Sequence, residues 1–340
     1  MKILLISDPY IPVPPKGYGG IERVVELLAL QFVKENHEVY LLAGPNSYLN
    51  GVSVTIYGSS TYPPQNKEKL KSLIFVWKYL WNNRNAFDLI INFGRLINLI
   101  PVLNINSTKI SCYQREIKAS NVKLITKIPH RRLLISGCSY DLINRSQLTD
   151  TCIYIHNCVD FSKFNLTNSL DDDAPLMFLG RLERIKGAHT AIRVAKITNN
   201  RLIIAGNISP LAEEVEYFET EIKPHIDGKQ VVYVGQVDDE QKNHYLGKSK
   251  ALLFPIEWNE PFGIVMIEAM ACGTPVIGYK KGSVDEVIDE GITGFKVTNL
   301  EELEDAINNV HKIDRSKCKR HAQARFDVSA ISAAYLKKEW

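Results

Sequence analysis

The chain has 340 residues, of which 45% are apolar and 23% are charged, and its formal net charge is only +3. This length is sufficient for two domains of ordinary size, and the composition excludes a disordered, fibrous or membrane-spanning protein. Residues 1–7 are apolar but too few for a secretory signal peptide, so they predict a first strand. The six cysteines lack metal-ligand spacing, which predicts reduced thiols in a cytoplasmic protein.

Charge is distributed unevenly along the chain. Residues 1–157 contain 18 Lys and Arg against 10 Asp and Glu, a net charge of +8, whereas the remainder contains 23 against 28, a net charge of −5. A basic half favours an anionic partner, and we expect an anionic membrane surface rather than nucleic acid.

The chain begins with a strand predicted at Lys2–Ser7, followed by a Pro/Gly-rich loop and a helix predicted over Ile21–Val33. Gly19 and Gly20 therefore lie at a helix N-terminus directly after a strand, where free N–H groups and the helix dipole favour a phosphate. The loop lacks the G-x-G-x-x-G pattern of dinucleotide-binding proteins, which argues against NAD. The alternative is a loop that only requires glycine for a positive φ.

Residues 67–84 predict a basic amphipathic helix. Its large apolar side chains share one face, namely Leu70, Leu73, Ile74, Trp77 and Trp81. Its cations are Lys67, Lys69, Lys71, Lys78 and Arg84. Such a helix either packs this apolar face against a domain core, leaving a solvated basic edge, or lies on a membrane surface.

Strands and helices alternate through the rest of the chain, which predicts an α/β protein with two doubly wound parallel sheets. The further strands are predicted at 38–43, 52–56, 88–92, 109–113, 132–136, 152–155, 175–179, 202–206, 231–234, 251–254 and 274–277. The further helices are predicted at 188–197, 300–311 and 315–339. The polar run Asn165–Asp173 predicts a linker, in which Asp171–Asp173 is a solvated charge run rather than a metal-binding D-x-D.

The stretch Glu257–Gly278 carries the strongest chemical signal. It follows a buried strand, and Pro261 is predicted as the first residue of a helix that continues over Phe262–Ala271. A helix N-terminus just past the carboxyl end of a strand is where open α/β sheets bind ligands. Glu260 precedes this helix and Glu268 lies two turns inside it. Free amides beside a carboxylate suit a polyhydroxyl ligand; the alternative is an N-cap Glu and a solvated helix Glu.

Two glutamates separated by seven residues and followed by E-A-M-A-C-G-T-P-V-I resemble the signature of the family-4 glycosyltransferases (glycosyltransferase group 1). That family has the GT-B fold, in which two Rossmann-like domains face a central cleft, and it uses nucleotide-sugar donors. The resemblance implies that Glu268 binds the nucleotide ribose and that the loop at Gly19 and Gly20 reaches over the donor phosphate. It implies a sugar pocket lined by Glu260, Phe262, Gly263, Ile264 and Val265.

The string G-R-L-E-R-I-K-G at 180–187 matches the family's Gly-Arg…Lys-Gly motif. Arg181 can donate to two phosphate oxygens at once, and Lys186 adds a point charge. A diphosphate leaving group requires this neutralisation because negative charge develops on it as the glycosidic bond breaks. The catalytic residues implied are Glu260, Arg181 and Lys186; the alternative for the basic residues is a surface pair without a role.

The resemblance places an acceptor-side domain at 1–157 with a C-terminal helix at 325–340, and a nucleotide-sugar donor domain at 158–324. It implies a retaining hexosyltransferase that uses a UDP-sugar, with GDP as the second choice, and a cell-envelope glycan or lipid-linked acceptor. No cofactor and no metal is expected, because the leaving phosphate can itself accept the acceptor proton. The location expected is cytoplasmic, with peripheral contact at the inner face of the membrane.

The first domain departs from the family at one position. Many members carry a His near the reacting sugar, whereas the corresponding loops here contain Asn92, Arg95, Gln114 and Arg115. The departure leaves open a non-catalytic nucleotide-sugar-binding subunit, and a GT-B sugar-nucleotide epimerase is a separate alternative. A starch-type phosphorylase is disfavoured because no sequence context for a pyridoxal Lys is present.

Overall fold

The computed structural model describes residues 1–15, 17, 19–60 and 64–337. The chain forms two compact units, which we call unit 1 (Met1–Cys158 and the residues from Val328 onward) and unit 2 (Val159–Asp327). Lys16 and Tyr18 of the predicted glycine loop, and the end of the predicted last helix, lie outside the described residues.

Unit 1 is built on a parallel sheet with seven strands in the described residues, in the order β3-β2-β1-β4-β5-β6-β7. Its central strands are continuous apolar runs because helices cover both faces of a parallel sheet. The strands are β1 (Lys2–Ile6), β2 (Glu38–Ala43), β3 (Ser53–Ile56), β4 (Leu89–Asn92), β5 (Thr108–Tyr113), β6 (Leu133–Gly137) and β7 (Cys152–Tyr154). The first helices are α1 (Gly20–Lys34), α2 (Asn66–Asn82), α3 (Ala119–Ile125) and α4 (Tyr140–Ser146).

Helix α2 does not bury the face that the sequence pattern offers to a core. Its buried residues are Ser72, Val76 and Leu80, whereas Leu70, Ile74 and Trp81 are 58%, 55% and 57% exposed. The helix therefore packs through one side, as the core-packing interpretation requires, but that side is not the predicted face, of which only Leu73 and Trp77 are half-buried. The buried side is a narrower stripe with side chains spaced four residues apart, and α2 contacts the 3-10 helix Leu96–Val102.

Unit 2 is built on a second parallel sheet, with six strands in the described residues and the order β10-β9-β8-β11-β12-β13. The strands are β8 (Leu176–Leu179), β9 (Leu202–Ala205), β10 (Val231–Tyr233), β11 (Leu252–Phe254), β12 (Val276–Tyr279) and β13 (Gly294–Val297). The helices are α5 (Ala188–Ile197), α6 (Ala212–Tyr217), α7 (Asp239–Lys248), α8 (Ile264–Ala271), α9 (Val284–Val287), α10 (Leu300–Asn309) and α11 (Arg315–Phe326). Two Rossmann-like parallel-sheet domains are thus confirmed.

The single helix predicted over 315–339 is wrong. Helix α11 ends at Phe326, and α12 (Val328–Tyr335) begins after one extended residue, Asp327, with φ −63° and ψ 144°. The backbone N–H of Phe161 donates to the Asp327 carboxylate at 3.2 Å, and that of Val159 donates to the Phe326 carbonyl at 3.2 Å. These contacts replace the helical hydrogen bonds at the point where the chain leaves unit 2.

The run Asn165–Asp173, predicted as an interdomain linker, lies inside unit 2. Its three aspartates are exposed. The six cysteines all fall in the described ranges, and none of them forms a disulfide. Within the same ranges no helix is both long enough and apolar enough to cross a membrane.

Candidate active site

The two motifs that the sequence presents far apart meet at one edge of the unit 2 sheet. Strand order reverses between β8 and β11, which are hydrogen-bonded neighbours. The crevice outside the carboxyl ends of strands at such a reversal is the common ligand site of open α/β sheets. The loop after β8 carries Arg181 and Lys186, and the loop after β11 carries Glu260.

A backbone contact between these loops sets their separation. The N–H of Glu257 donates to the carbonyl of Ile185 at 2.8 Å. A Cβ atom at Gly187 would lie only 2.0 Å from the carbonyl oxygen of Pro255, and the φ of Gly187 is +77°. Only glycine permits this approach, which brings Lys186 next to Glu260.

Lys186 and Glu260 form an ion pair in which Nζ lies 2.5 Å from Oε2, with side chains only 15% and 14% exposed. The indole Nε1 of Trp258 donates to the same oxygen at 2.8 Å, and the Lys186 ammonium lies 5.0 Å from the centre of the Trp258 ring. The second oxygen, Oε1, accepts no hydrogen bond from the described residues. The pair therefore presents one uncommitted carboxylate oxygen beside a positive charge.

The backbone of Glu260 is fixed by the loop after β12. The N–H of Ser283 donates to the Glu260 carbonyl at 3.0 Å, and Ser283 Oγ donates to the Phe262 carbonyl at 2.7 Å. A Cβ atom at Gly282 would lie 2.3 Å from that same Glu260 carbonyl oxygen. The contact explains why a glycine-serine loop follows β12.

Helix α8 begins at Ile264, so the predicted start at Phe262 and the role of Pro261 as first helical residue are wrong. Gly263 caps the helix in the left-handed conformation, with φ +76°. A Cβ atom there would lie 2.9 Å from both Met266 Cε and Phe254 Cζ, so internal packing already requires this glycine. The N–H of Met266 donates to the Gly263 carbonyl at 2.9 Å, which leaves the N–H groups of Ile264 and Val265 without an acceptor within the helix.

Of the other predicted pocket residues, Phe262 is a core residue. Its side chain is buried, and its ring packs edge-on against Phe326 at 5.9 Å between centres. It can line a pocket only through its backbone. Ile264 and Val265 are half-exposed in the first turn of α8. These two residues are therefore placed to contribute both backbone and side-chain surface.

Glu268 is held by a partner that the sequence did not indicate. Its side chain is 8% exposed, and Oε1 lies 2.6 Å from Nζ of Lys242 on α7. Lys242 also lies 3.1 Å from Asp239. Burial alone would lower the pKa of Lys242, but the attraction of Glu268 and Asp239 outweighs it and raises that pKa. The ammonium therefore remains charged.

Arg181 contacts a neighbour on its own loop. Its guanidinium Nη1 lies 2.7 Å from Oε1 of Glu183, which is buried, whereas the Arg181 side chain is part-exposed. Arg184 has a separate partner, Glu221, and lies over the ring of Tyr217. Of the two arginines in the motif, Arg181 is therefore the one whose partner belongs to the site loop.

His189 near the start of α5 is a second site residue that the sequence did not indicate. Its Nε2 lies 3.0 Å from Oε1 of Glu257, and its Nδ1 lies 2.9 Å from the hydroxyl of Tyr217. Neither Lys242 nor His189 belongs to a recognisable motif, so a single sequence carries no signal for them. Their roles follow from the packing of α5 and α7 around the site.

Unit 1 has its own strand-order reversal, between β1 and β4. Gly19 and Gly20 lie at the start of α1 as predicted, but the first turn of that helix contains a buried carboxyl group, Glu22, which is 3% exposed. Burial and, after it, the nearby Asp8 raise the pKa of Glu22 to about 7, although a hydrogen bond from a backbone N–H and the charge of Arg115 act in the opposite direction. Ionised Glu22 would disfavour a phosphate at this terminus.

The loops after β4 and β5, where the family His is missing, are partly committed to the fold. Asn92 is buried, and its Oδ1 accepts a hydrogen bond from the N–H of Gly94 at 3.2 Å. Gln114 accepts a hydrogen bond from Asn157 at 2.8 Å. Arg95 and Arg115 are exposed. Nowhere in the described ranges do three or more His, Cys, Asp or Glu residues form a group that could hold a metal ion.

Comparisons with known proteins show which protein family this chain resembles. A profile described as "Glycosyl transferases group 1" matches residues 162–325. The N-acetyl-alpha-D-glucosaminyl L-malate synthase of Bacillus anthracis is 41% identical over 87% of this chain and 83% of its own length. An uncharacterized glycosyltransferase of Methanocaldococcus jannaschii is 31% identical over 87% of this chain and 85% of its own length. Other curated relatives are matched over only 19% to 46% of their own length.

The fold is also that of solved structures. An Anabaena protein in complex with UDP and glucose is similar to this chain with a TM-score of 0.72 and 18% identity, covering 98% of both chains. Together with the two relatives that match over most of their length, these findings settle the family. The chain belongs to the group 1 glycosyltransferases.

Proposed function

We propose that the protein transfers a hexose from a nucleotide-diphosphate sugar, with UDP as the first carrier and GDP as the second, and with retention at the anomeric carbon. The acceptor proposed is a cell-envelope glycan or a lipid-linked sugar. Unit 2 is the proposed donor-binding domain and unit 1 the proposed acceptor-side domain. The single observation that carries this proposal is the pairing of Lys186 with Glu260 at the strand-order reversal of unit 2.

Each donor-site group has a separate chemical task in this proposal. Arg181 and Lys186 neutralise the diphosphate as it leaves. Glu260 accepts hydrogen bonds from sugar hydroxyls through its uncommitted oxygen, while the N–H groups at the start of α8 donate to donor oxygens. Glu268 accepts hydrogen bonds from the ribose hydroxyls. The leaving phosphate takes the proton of the acceptor hydroxyl, so the proposed chemistry requires no cofactor and no metal.

A thermal-shift screen tests the donor half of the proposal. We expect UDP or a UDP-sugar to raise the melting temperature of the wild type at saturating concentration, because only the folded state binds it. Glu268→Ala and Lys186→Ala should lose this shift, whereas Lys229→Ala, an exposed lysine of unit 2, should keep it. A shift with GDP alone would mean that GDP, and not UDP, carries the sugar. No shift with any nucleotide would refute the proposed donor site.

The basic apolar surface of unit 1 motivates the acceptor half. It comprises the exposed apolar residues Leu70, Ile74, Trp81, Ile97 and Leu124, together with the exposed cations Lys67, Lys71, Lys78, Arg84, Lys123 and Lys127. Residues 96–102 form a 3-10 helix that contacts both α2 and α3, so these side chains belong to adjoining elements. The N–H of Trp77 Nε1 donates to the Ile97 carbonyl at 2.9 Å. Apolar side chains interspersed with cations suit an anionic lipid surface.

Liposome co-sedimentation tests this surface. We expect the wild type to bind vesicles containing anionic phospholipid at least tenfold more than purely zwitterionic vesicles, since each cation near such a surface contributes about 1 kcal/mol. Ile74→Glu should reduce binding, whereas Leu211→Glu, a comparably exposed apolar site in unit 2, should not. Equal binding to both vesicle types, or equal effects of the two variants, would contradict a membrane role.

Two other functions share this donor site. A non-catalytic subunit would bind the nucleotide sugar without turnover. It is favoured by the hydrogen bonds that Asn92 and Gln114 accept from Gly94 and Asn157, because these two side chains lie in the loops where the family carries its His. An epimerase would convert the sugar and release UDP without any acceptor. Incubation with the bound UDP-sugar and envelope lipid extract, followed by NMR of the product, distinguishes them. A product with the donor's anomeric configuration supports retaining transfer, an inverted product refutes retention, and free epimerised sugar refutes transfer.

A further inference from the structure

We propose that Lys242 is a positioning residue for vicinal-diol recognition: it holds one oxygen of Glu268 and thereby orients the carboxylate so that its other oxygen is available to the donor's ribose. This inference rests on the proposed function. Lys242 comes from α7, a different element from the motif helix α8, and it contacts Glu268 at 2.6 Å. No motif includes it.

The two oxygens of Glu268 are in different situations. Oε1 accepts from Lys242. Oε2 accepts no hydrogen bond from the described residues. Among the described residues, every fully buried side-chain nitrogen or oxygen atom except Ser7 Oγ has a hydrogen-bond partner. Because Oε2 of Glu268 has no such partner, it is not fully buried and is in contact with solvent. Glu268 therefore offers one fixed oxygen and one accessible oxygen, and the accessible oxygen can accept a hydrogen bond from a hydroxyl group.

The charge of Lys242 has a specific consequence at this depth. Burial disfavours a charged carboxylate unless a cation lies beside it. Lys242 supplies that cation to Glu268 at 2.6 Å and itself lies 3.1 Å from the exposed Asp239. Hydrogen bonds to a carboxylate are charge-assisted, so a carboxylate held in this way is a strong acceptor for a hydroxyl group.

The same arrangement recurs at Glu260. There Lys186 holds Oε2 and leaves Oε1 without a partner. In each case a lysine from another element neutralises one carboxylate oxygen. The two glutamates can therefore lie in a diphosphate-binding site without repelling the diphosphate.

Calorimetric titration with UDP, 2′-deoxy-UDP and 3′-deoxy-UDP tests the inference. We expect the wild type to bind UDP at least tenfold more tightly than either deoxy nucleotide, because a hydrogen bond to a charged group is lost. Lys242→Met should bind UDP about as weakly as the deoxy nucleotides, and its affinity for the deoxy nucleotides should be unchanged. Lys242→Arg should restore most of the preference, and Asp239→Asn, which changes only the exposed outer partner, should retain it.

Each outcome supports or overturns the inference. If Lys242→Met weakens UDP and both deoxy nucleotides equally, Lys242 has only a structural role. If the wild type binds all three equally, Glu268 is not the ribose ligand and the inference fails, while a UDP site remains. If the wild type does not bind UDP, the proposed carrier fails together with the inference. Should Lys242→Met not fold, Lys242→Gln retains a hydrogen-bond donor without the charge, and an undiminished preference for UDP in that variant would overturn the charge argument.

Discussion

Replacing Glu22 by glutamine is expected to change how the stability of unit 1 depends on pH. Glu22 is buried at the start of α1, and burial together with the charge of Asp8 raises its pKa from 4.5 to about 7. The folded state therefore holds a proton that the unfolded state has already released between these two values. Ionising Glu22 in the folded protein costs free energy, so the stability of the wild type falls as pH rises through this window. Glutamine stays neutral, so the variant does not lose stability in this way as pH rises.

The magnitude follows from the two pKa values. A rise from 4.5 to about 7 corresponds to about 3 kcal/mol at 1.36 kcal/mol per pH unit. Between pH 5 and pH 8 about 2.5 kcal/mol of this is expressed, because part of the titration lies below pH 5. For a domain of this size, about 1 kcal/mol changes the melting temperature by about 2–4 °C. The melting temperature of Glu22→Gln minus that of the wild type should therefore increase by about 5–10 °C from pH 5 to pH 8.

Calorimetric melting of both proteins at pH 5, 6, 7 and 8 provides the measurement, and the difference between them cancels the titration of all other groups to first order. Glu116→Gln, which removes an exposed carboxylate of unit 1, is the control and should give a nearly constant difference. A difference for Glu22→Gln that is equally flat over this range would refute the assignment of a raised pKa. A difference that decreases with pH would show that the backbone hydrogen bond and Arg115, rather than burial and Asp8, dominate the environment of Glu22.

Three further perturbations concern unit 2. Gly282→Ala should destabilise the protein by about 1–3 kcal/mol more than Gly291→Ala. Both glycines have positive φ, but only a Cβ atom at position 282 would collide with backbone atoms, and equal melting temperatures of the two variants would contradict this close contact. Lys186→Met should destabilise the protein by about 1–3 kcal/mol, because the largely buried Glu260 carboxylate loses its cation and keeps only the Trp258 hydrogen bond. Adding Glu260→Gln should restore stability but not nucleotide binding, as a thermal-shift titration can measure. Arg315→Lys should lower the free energy of unfolding, measured in urea, by at least about 2 kcal/mol. The reason is that the Arg315 guanidinium donates to three backbone carbonyls and one hydroxyl. An unchanged urea midpoint would show that lysine can replace these hydrogen bonds.

The donor-site residues could be predicted from the sequence because their motif is local, and their roles stay a prediction. Arg181, Lys186, Glu260 and Glu268 lie in short strings whose spacing already places them after strands or within one helix. Alternation of buried strands and helices likewise predicted both sheets, since period and turn residues are local properties. Helix ends were less predictable: α8 starts at Ile264 because Gly263 adopts a left-handed conformation that Pro261 did not reveal.

What the sequence could not provide is the partner of each site residue. The packing of α7 against α8 brings Lys242 to Glu268, and the contact between Gly187 and Pro255 brings Lys186 to Glu260. The exposed side of α2 and the buried carboxyl of Glu22 are decided in the same way, by which neighbours each helix meets. The sequence by itself thus determined the fold class and the family, and it predicted the donor-site residues. Only the tertiary structure decided the partners, orientation and exposure of their side chains, because these depend on residues that are distant in the chain.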